Sequence, residues 1–198
     1  MKRTSEQQKS SGGSLYRLFK IKFILALWLG KLLLTISRIA GRGGTTLPGR
    51  AALKFEKTLP SILAAQLKKG SIVITGTNGK TTTANLLTSI LKKNRLRCIH
   101  NQSGSNMTWG IASAFIAAAS WSGKLHADWA VMEADEGSFP KVCADIMPKG
   151  IIVTNIFRDQ LDRYGEIDNV KQAIERGLNQ LKASSFLLIN ADDPSLVN

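Results

Sequence analysis

SIVITGTNGKTTT, residues 71–83, carries a β-branched apolar segment into a glycine-spaced turn and on into a stretch of hydroxyls and helix formers. Ser71–Thr75 predicts a buried strand. Gly76 and Gly79 allow the backbone to fold back with its N–H groups turned inward, and a helix starting near Lys80 points its positive dipole end at the same spot. That geometry suits a polyphosphate. Gly76, Thr77, Asn78 and Gly79 would form the cradle, Lys80 would reach the terminal phosphates as a point charge, and a hydroxyl of Thr81 or Thr82 would sit on a magnesium ion. The loop is shorter than the common G-x-x-x-x-G-K-[ST] spacing, whose first glycine would fall at Ile74. A plain turn is the competing reading, but strand, glycines, lysine, hydroxyls and helix arrive in the order a phosphate site requires.

Outward from this loop the pattern alternates. Strands are expected at Ser71–Thr75, Leu96–His100, Asp128–Glu133, Gly150–Thr154 and Ser185–Asn190, with helices over Lys80–Lys93, Met107–Ser120, Pro140–Asp145 and Ile167–Lys182. Alternation of this kind predicts an α/β fold, a P-loop-type central domain with a mainly parallel sheet flanked by helices. Ligands of such sheets gather at the carboxyl ends of the strands, so the segment after each strand marks the candidate site.

Three such segments are polar. Asn101–Met107 (NQSGSNM), which includes Asn106, suits hydrogen bonding to a substrate or nucleotide. Glu133, Asp135 and Glu136 put three carboxylates within four residues; they repel one another unless a cation stands between them. Magnesium is the natural partner, and a solvated acidic turn is the alternative. After the fourth strand, Thr154 and Asn155 lead into a stretch of mixed charge in which Arg158 or Arg163 could clamp phosphate and Asp159 and Asp162 could position metal or substrate. A salt-bridged helix start explains that spacing equally well.

The net charge of +13 is unevenly placed. Residues 1–70 hold 14 Lys and Arg against Glu6 and Glu56, while residues 71–198 are nearly neutral. That split disfavours a nucleic-acid-binding protein and favours attraction to a membrane surface. Residues 1–14 are expected to be a disordered tail, and 15–39 a basic, apolar or amphipathic helix. Its apolar run, broken at Gly30 and Lys31, falls short of the ~18 residues a spanning helix needs. The helix would either lie on the inner leaflet or pack against the rest of the protein. Within residues 40–70, a loop and helix, the glycines and Pro48 of Ala40–Lys54 argue against a regular element there; a linker and an anion-binding loop are both open. Residues 71–198 form the expected nucleotide-binding domain. Cys98 and Cys143 lack metal-site spacing and read as buried thiols, and His100 and His126 read as structural.

The octet GTNGKTTT resembles the nucleotide loop of the Mur ligases and folylpolyglutamate synthases. The set GTNGKTTT (76–83), HNQSGSNM (100–107), MEADEGSFP (132–140), TNIFRDQLDRYGEID (154–168) and NADDP (190–194) is similar to one branch of that family, the ligase-like subunits of amidating enzymes. Gln160 stands where the amino-acid-adding members usually carry a metal-holding histidine, which puts a second metal site in doubt. The resemblance implies ATP and Mg2+ as cofactors, Lys80 with Thr81 as the nucleotide-binding pair, and Glu133 as the magnesium glutamate. It also implies a catalytic contribution from Asp159 and substrate contacts from Asn106, Asp135, Glu136, Asn155 and Arg158.

The same resemblance implies an enzyme that activates the D-glutamate α-carboxylate of the lipid II stem peptide as an acyl phosphate; a cytoplasmic location is expected, and the basic, apolar leader would fit association with the membrane's inner face. A GatD-like glutaminase would supply ammonia, and no nucleic acid is involved. The resembled subunits continue past the segment NADDPSLVN into a zinc ribbon and a C-terminal domain, so the 198-residue polypeptide alone is expected to bind nucleotide weakly and to be inactive. Two other functions are compatible with the residues: a non-catalytic nucleotide-binding module, and a ligase that adds an amino acid.

Overall fold

In the computed structural model, which describes residues 3–41, 46–101, 105–156 and 166–197, the chain begins with α1 (Arg3–Ile39), α2 (Leu47–Phe55) and α3 (Leu59–Ala64). The alternating part comes next: β1 (Gly70–Thr75), α4 (Lys80–Lys93), β2 (Cys98–His100), α5 (Thr108–Ala118), β3 (Trp129–Glu133), α6 (Phe139–Ile146), β4 (Gly150–Val153), α7 (Glu166–Leu178), β5 (Phe186–Ile189) and α8 (Pro194–Val197). Each strand lies inside or within a residue of its expected span, and α4 has the expected bounds.

The strands form one sheet in the order β2-β3-β1-β4-β5, and every neighbouring pair is parallel. β1 is central. Its alternate residues serve two cores: Val73 faces a large cluster with Met132, Ile151, Phe115 and Phe139, while Ile72 and Ile74 face a smaller one with Val131 and Ala84 of α4. Strands apolar on both faces are what a parallel sheet covered by helices demands. The crossover that leaves β1 runs toward β2 and the one that leaves β4 runs the opposite way to β5, so the crevice between the carboxyl ends of β1 and β4 is the switch point of the sheet.

Two expectations for the leader need correction. α1 runs through residues 3–14, where the sequence predicts disorder; Glu6, Gln7, Gln8 and Lys9 are helix formers, and no proline interrupts the run. α2 occupies Leu47–Phe55, where the sequence argues against a regular element. Pro48 stands in the first turn of α2, where a missing N–H costs nothing. Gly49 is required by a close approach: a Cβ there would lie 1.9 Å from the Trp109 carbonyl oxygen of α5, and the Gly49 N–H donates to Ser113 Oγ at 2.8 Å.

Of the two fates open to the apolar helix, packing is observed. Phe23, Ala26 and Leu27 are buried in the large core, and Lys31 is buried with its ammonium 5.5 Å from the Trp121 ring centroid. Burial, and then Arg38, push the Lys31 amine below its usual value. Of the two thiols expected to be buried, Cys143 is fully inaccessible and is pushed up to about 12 by burial, whereas Cys98 at the start of β2 is only partly buried, which still raises its thiol. His100 Nδ1 pairs with the Val131 carbonyl at 3.0 Å, a structural role.

Candidate active site

The loop between β1 and α4 has the two glycine conformations it needs. Gly76 sits at φ +122°, and a Cβ on it would fall 2.4 Å from Thr154 Oγ1 and 2.7 Å from the Asn155 carbonyl oxygen. Gly79, at φ +82°, turns the chain into α4. The end of β4 holds the loop from below. Asn155 accepts the Asn78 N–H at Oδ1 (2.9 Å), donates from Nδ2 to the Asn78 carbonyl (3.0 Å), and accepts the Thr77 N–H at its own carbonyl (2.9 Å). Thr154 Oγ1 donates to the same Asn78 carbonyl at 2.8 Å.

α4 projects two side chains from its first turn toward the end of β3. Lys80 Nζ donates to the Gly76 carbonyl, to the Thr77 carbonyl at 3.2 Å and to Glu136 Oε1 at 3.2 Å. Thr81 Oγ1 donates to Glu133 Oε2 at 2.8 Å, and Glu133 is only 4% exposed. The acidic run is therefore divided among partners: Glu133 meets Thr81, Glu136 meets Lys80, and the Asp135 N–H is held by the Asn106 carbonyl at 2.9 Å.

Asn101, at the end of β2, is a positioning residue that the sequence shows only as one member of a polar stretch. Its Oδ1 accepts the Glu133 N–H at 2.8 Å, and its Nδ2 donates to the Glu133 carbonyl at 2.9 Å and to the Ser105 carbonyl at 2.8 Å. A side-chain amide that satisfies both backbone groups of Glu133 fixes the carboxylate relative to α4. Asp193 does comparable work on the other side, accepting the Ile156 N–H at 2.7 Å just past Asn155. Its only sequence signal is its place in the NADDP motif.

Thus Gly76, Thr77, Asn78, Gly79, Lys80, Thr81, Glu133, Glu136 and Asn155 converge at the carboxyl ends of β1, β3 and β4. Thr82 comes next in the first turn of α4, and Asn106 and Asp135 stand beside them. Arg158 and Asp159, with Gln160, Asp162 and Arg163, lie outside the described residues.

Burial raises the Glu136 carboxyl above its ordinary value and a hydrogen bond with Asp135 adds to the rise, against the pull of Lys80. A carboxyl so raised favours the fold while protonated, an advantage complete below its unfolded pKa and lost as pH climbs through the folded value. Glu136→Gln is accordingly expected to melt higher than the parent at pH 7.5 and to lose that advantage by pH 4, a pattern that thermal unfolding across the interval reads directly.

The Mur ligase middle domain family matches residues 74–198. The chain belongs to the Mur ligase family. Among its Mur ligase relatives is "Lipid II isoglutaminyl synthase (glutamine-hydrolyzing) subunit MurT" of Staphylococcus aureus (strain COL), 44% identical over 169 residues, covering 85% of this chain and 37% of that protein. The subunit of the same name from Streptococcus pneumoniae (strain ATCC BAA-255 / R6) is 40% identical over 170 residues, covering 81% and 37%. The resemblance to the amidating branch therefore holds at the level of overall sequence, over just over a third of the relatives' length. Solved Mur ligases share the fold: the MurF ligase of Thermotoga maritima in complex with ADP superposes with a TM-score of 0.62 at 18% identity, over 74% of this chain and 34% of that one.

Proposed function

We propose that this chain forms the nucleotide-handling part of an ATP-dependent carbon–nitrogen ligase of peptidoglycan synthesis, which activates the D-glutamate α-carboxylate of the lipid II stem peptide for amidation. The observation that carries the reading is the meeting of the Lys80 loop with the Thr81–Glu133 pair at the switch point of the sheet, in a chain 44% identical to a MurT subunit.

The site residues divide the chemistry among them. The N-terminus of α4, from Gly79 on, takes the phosphates of ATP, while Asn155 holds the Thr77 and Asn78 N–H groups and so fixes the shape of the loop. Lys80 leaves the Gly76 and Thr77 carbonyls and Glu136 to meet the transferring phosphoryl group, where fixed positive charge lowers the barrier. Thr81 and Glu133 offer two hard oxygen donors side by side, and among the described residues no group of three or more His, Cys, Asp or Glu surrounds them. Such a donor set fits Mg2+, which completes its shell with water and phosphate oxygens and would neutralise charge on the phosphates when bound. Asn101 keeps Glu133 in place. The carboxylate oxygen of the substrate takes the γ-phosphoryl group and ADP leaves; ammonia from a glutaminase partner then attacks the acyl carbon, loses a proton, and inorganic phosphate departs. On this reading Asn106, Asp135, Glu136, Asn155 and Arg158 are assigned to substrate positioning, and Asp159 to a catalytic contribution.

The test is incorporation. With this chain joined to the remainder of a MurT subunit, and with lipid II, ATP and a glutaminase fed amide-labelled glutamine, the label is expected in the stem-peptide amide. Incorporation of a labelled amino acid instead would move the protein to the amino-acid-adding ligases. ATP binding with neither product would leave it a non-catalytic nucleotide module.

A further inference from the structure

α1 has two apolar faces, and the fold uses one. Phe23, Ala26, Leu27 and Gly30 turn toward α2 and α5 and are buried. Ile21, Leu25, Trp28, Leu32, Ile36 and Ile39 recur at intervals of three and four on the opposite side, each about half exposed or more. Their spacing makes a continuous stripe along ~27 Å of helix. An apolar stripe of that extent on a folded domain marks a contact surface.

The charge around the stripe selects the occupant. Lys20, Lys22 and Arg38 are exposed beside it, and residues 7–55 contain nine Lys and Arg and no Asp or Glu. A second copy packed on this face would bring basic flanks against basic flanks with no acid between them. An anionic bilayer surface satisfies both features, taking the stripe into the boundary between headgroups and acyl chains and the lysines and arginine against lipid phosphates. Trp28 can enter such a boundary without stranding a donor, because its indole N–H already donates to the Trp121 carbonyl at 2.9 Å. No described helix is long and apolar enough to cross a membrane, which leaves α1 lying along it.

We infer that the outer face of α1 is a docking surface for anionic lipid. The contacts Phe23 with Gly123, Trp28 with Trp121 and Gly30 with Ile116 run α1 antiparallel to α5. α5 lies after the loop from Asn101, so the end of α1 that carries Ile36 and Ile39 is the end nearer the phosphate loop. Docking would therefore hold the site close to the bilayer, a benefit that rests on the lipid-borne substrate proposed above; docking itself does not require it.

Plain vesicles separate the two ideas. The purified protein is expected to co-sediment with vesicles of equal phosphatidylglycerol and phosphatidylcholine and to bind pure phosphatidylcholine at least ~10-fold more weakly. Leu25→Glu with Leu32→Glu, both at exposed positions, is expected to lower binding about 10-fold or more with an unchanged circular dichroism spectrum. Should that variant misfold, Lys20→Gln with Lys22→Gln provides a milder pair, expected to weaken binding several-fold. Absence of vesicle binding, or equal binding by parent and variants, overturns the inference. So does a parent dimer that the leucine substitutions dissociate, which would assign the stripe to a second copy.

Discussion

Lys80→Met, in this chain joined to the remainder of a MurT subunit, is expected to lower the amide-forming rate about 10²–10³-fold, the loss seen when one preorganised donor to a developing charge is removed. Lys80 is held at the mouth of the loop, between the Gly76 and Thr77 carbonyls and Glu136, mostly out of water. Methionine keeps the length and apolar stem but none of the charge. Its folding cost should be small, because the remaining partner, Glu136, already has its carboxyl raised by burial and takes up a proton readily. ADP release measured under saturating substrate, beside a melting curve, checks both halves. A rate within tenfold of the parent would mean that the phosphoryl group is handled elsewhere.

Gly49→Ala is expected to destabilise the protein by roughly 2–4 kcal/mol, lowering Tm by about 5–10 °C. Helix propensity alone predicts the opposite sign, since alanine inside a helix gains up to about 1 kcal/mol over glycine. The contact decides the balance: the added methyl group would meet the Trp109 carbonyl oxygen at 1.9 Å and Ser113 at 2.8 to 2.9 Å, so α2 must move away from α5 and give up the Gly49–Ser113 hydrogen bond. Most of those obstacles are backbone or a hydrogen-bonded hydroxyl, and none can rotate aside cheaply. Thermal or urea unfolding separates the two arguments by sign.

Gly49 also shows why the leader is the least legible part of the sequence. A proline and a glycine side by side read locally as a break, yet Pro48 opens the helix and Gly49 is there for a neighbour sixty residues away. The strands are readable because residues apolar on both faces, bounded by turn formers, have few other uses. The phosphate loop is readable because its glycines, lysine and hydroxyls are close in sequence. What cannot be read is pairing across strands. Nothing local tells Glu133 from Glu136, and only the register of β1 with β3 gives the first to Thr81 and the second to Lys80. Asn101 and Asn155 belong to the same class, being ordinary polar residues whose work is to hold the backbone of another strand or loop.

The central position of β1 has a consequence for how the chain comes to be folded. Ile72 pairs with Val131 on one side and Gly150 on the other, partners made roughly sixty and eighty residues later. At ordinary translation speeds of ~5–20 residues per second, β1 waits about 3–15 seconds for the strands that enclose it. The helices formed before it, α1 among them, wait for α5 as well. During that interval the central, buried strand and a doubly apolar helix share one nascent chain, which makes early synthesis, rather than the finished fold, the stage most exposed to aggregation and most in need of a chaperone or a lipid surface.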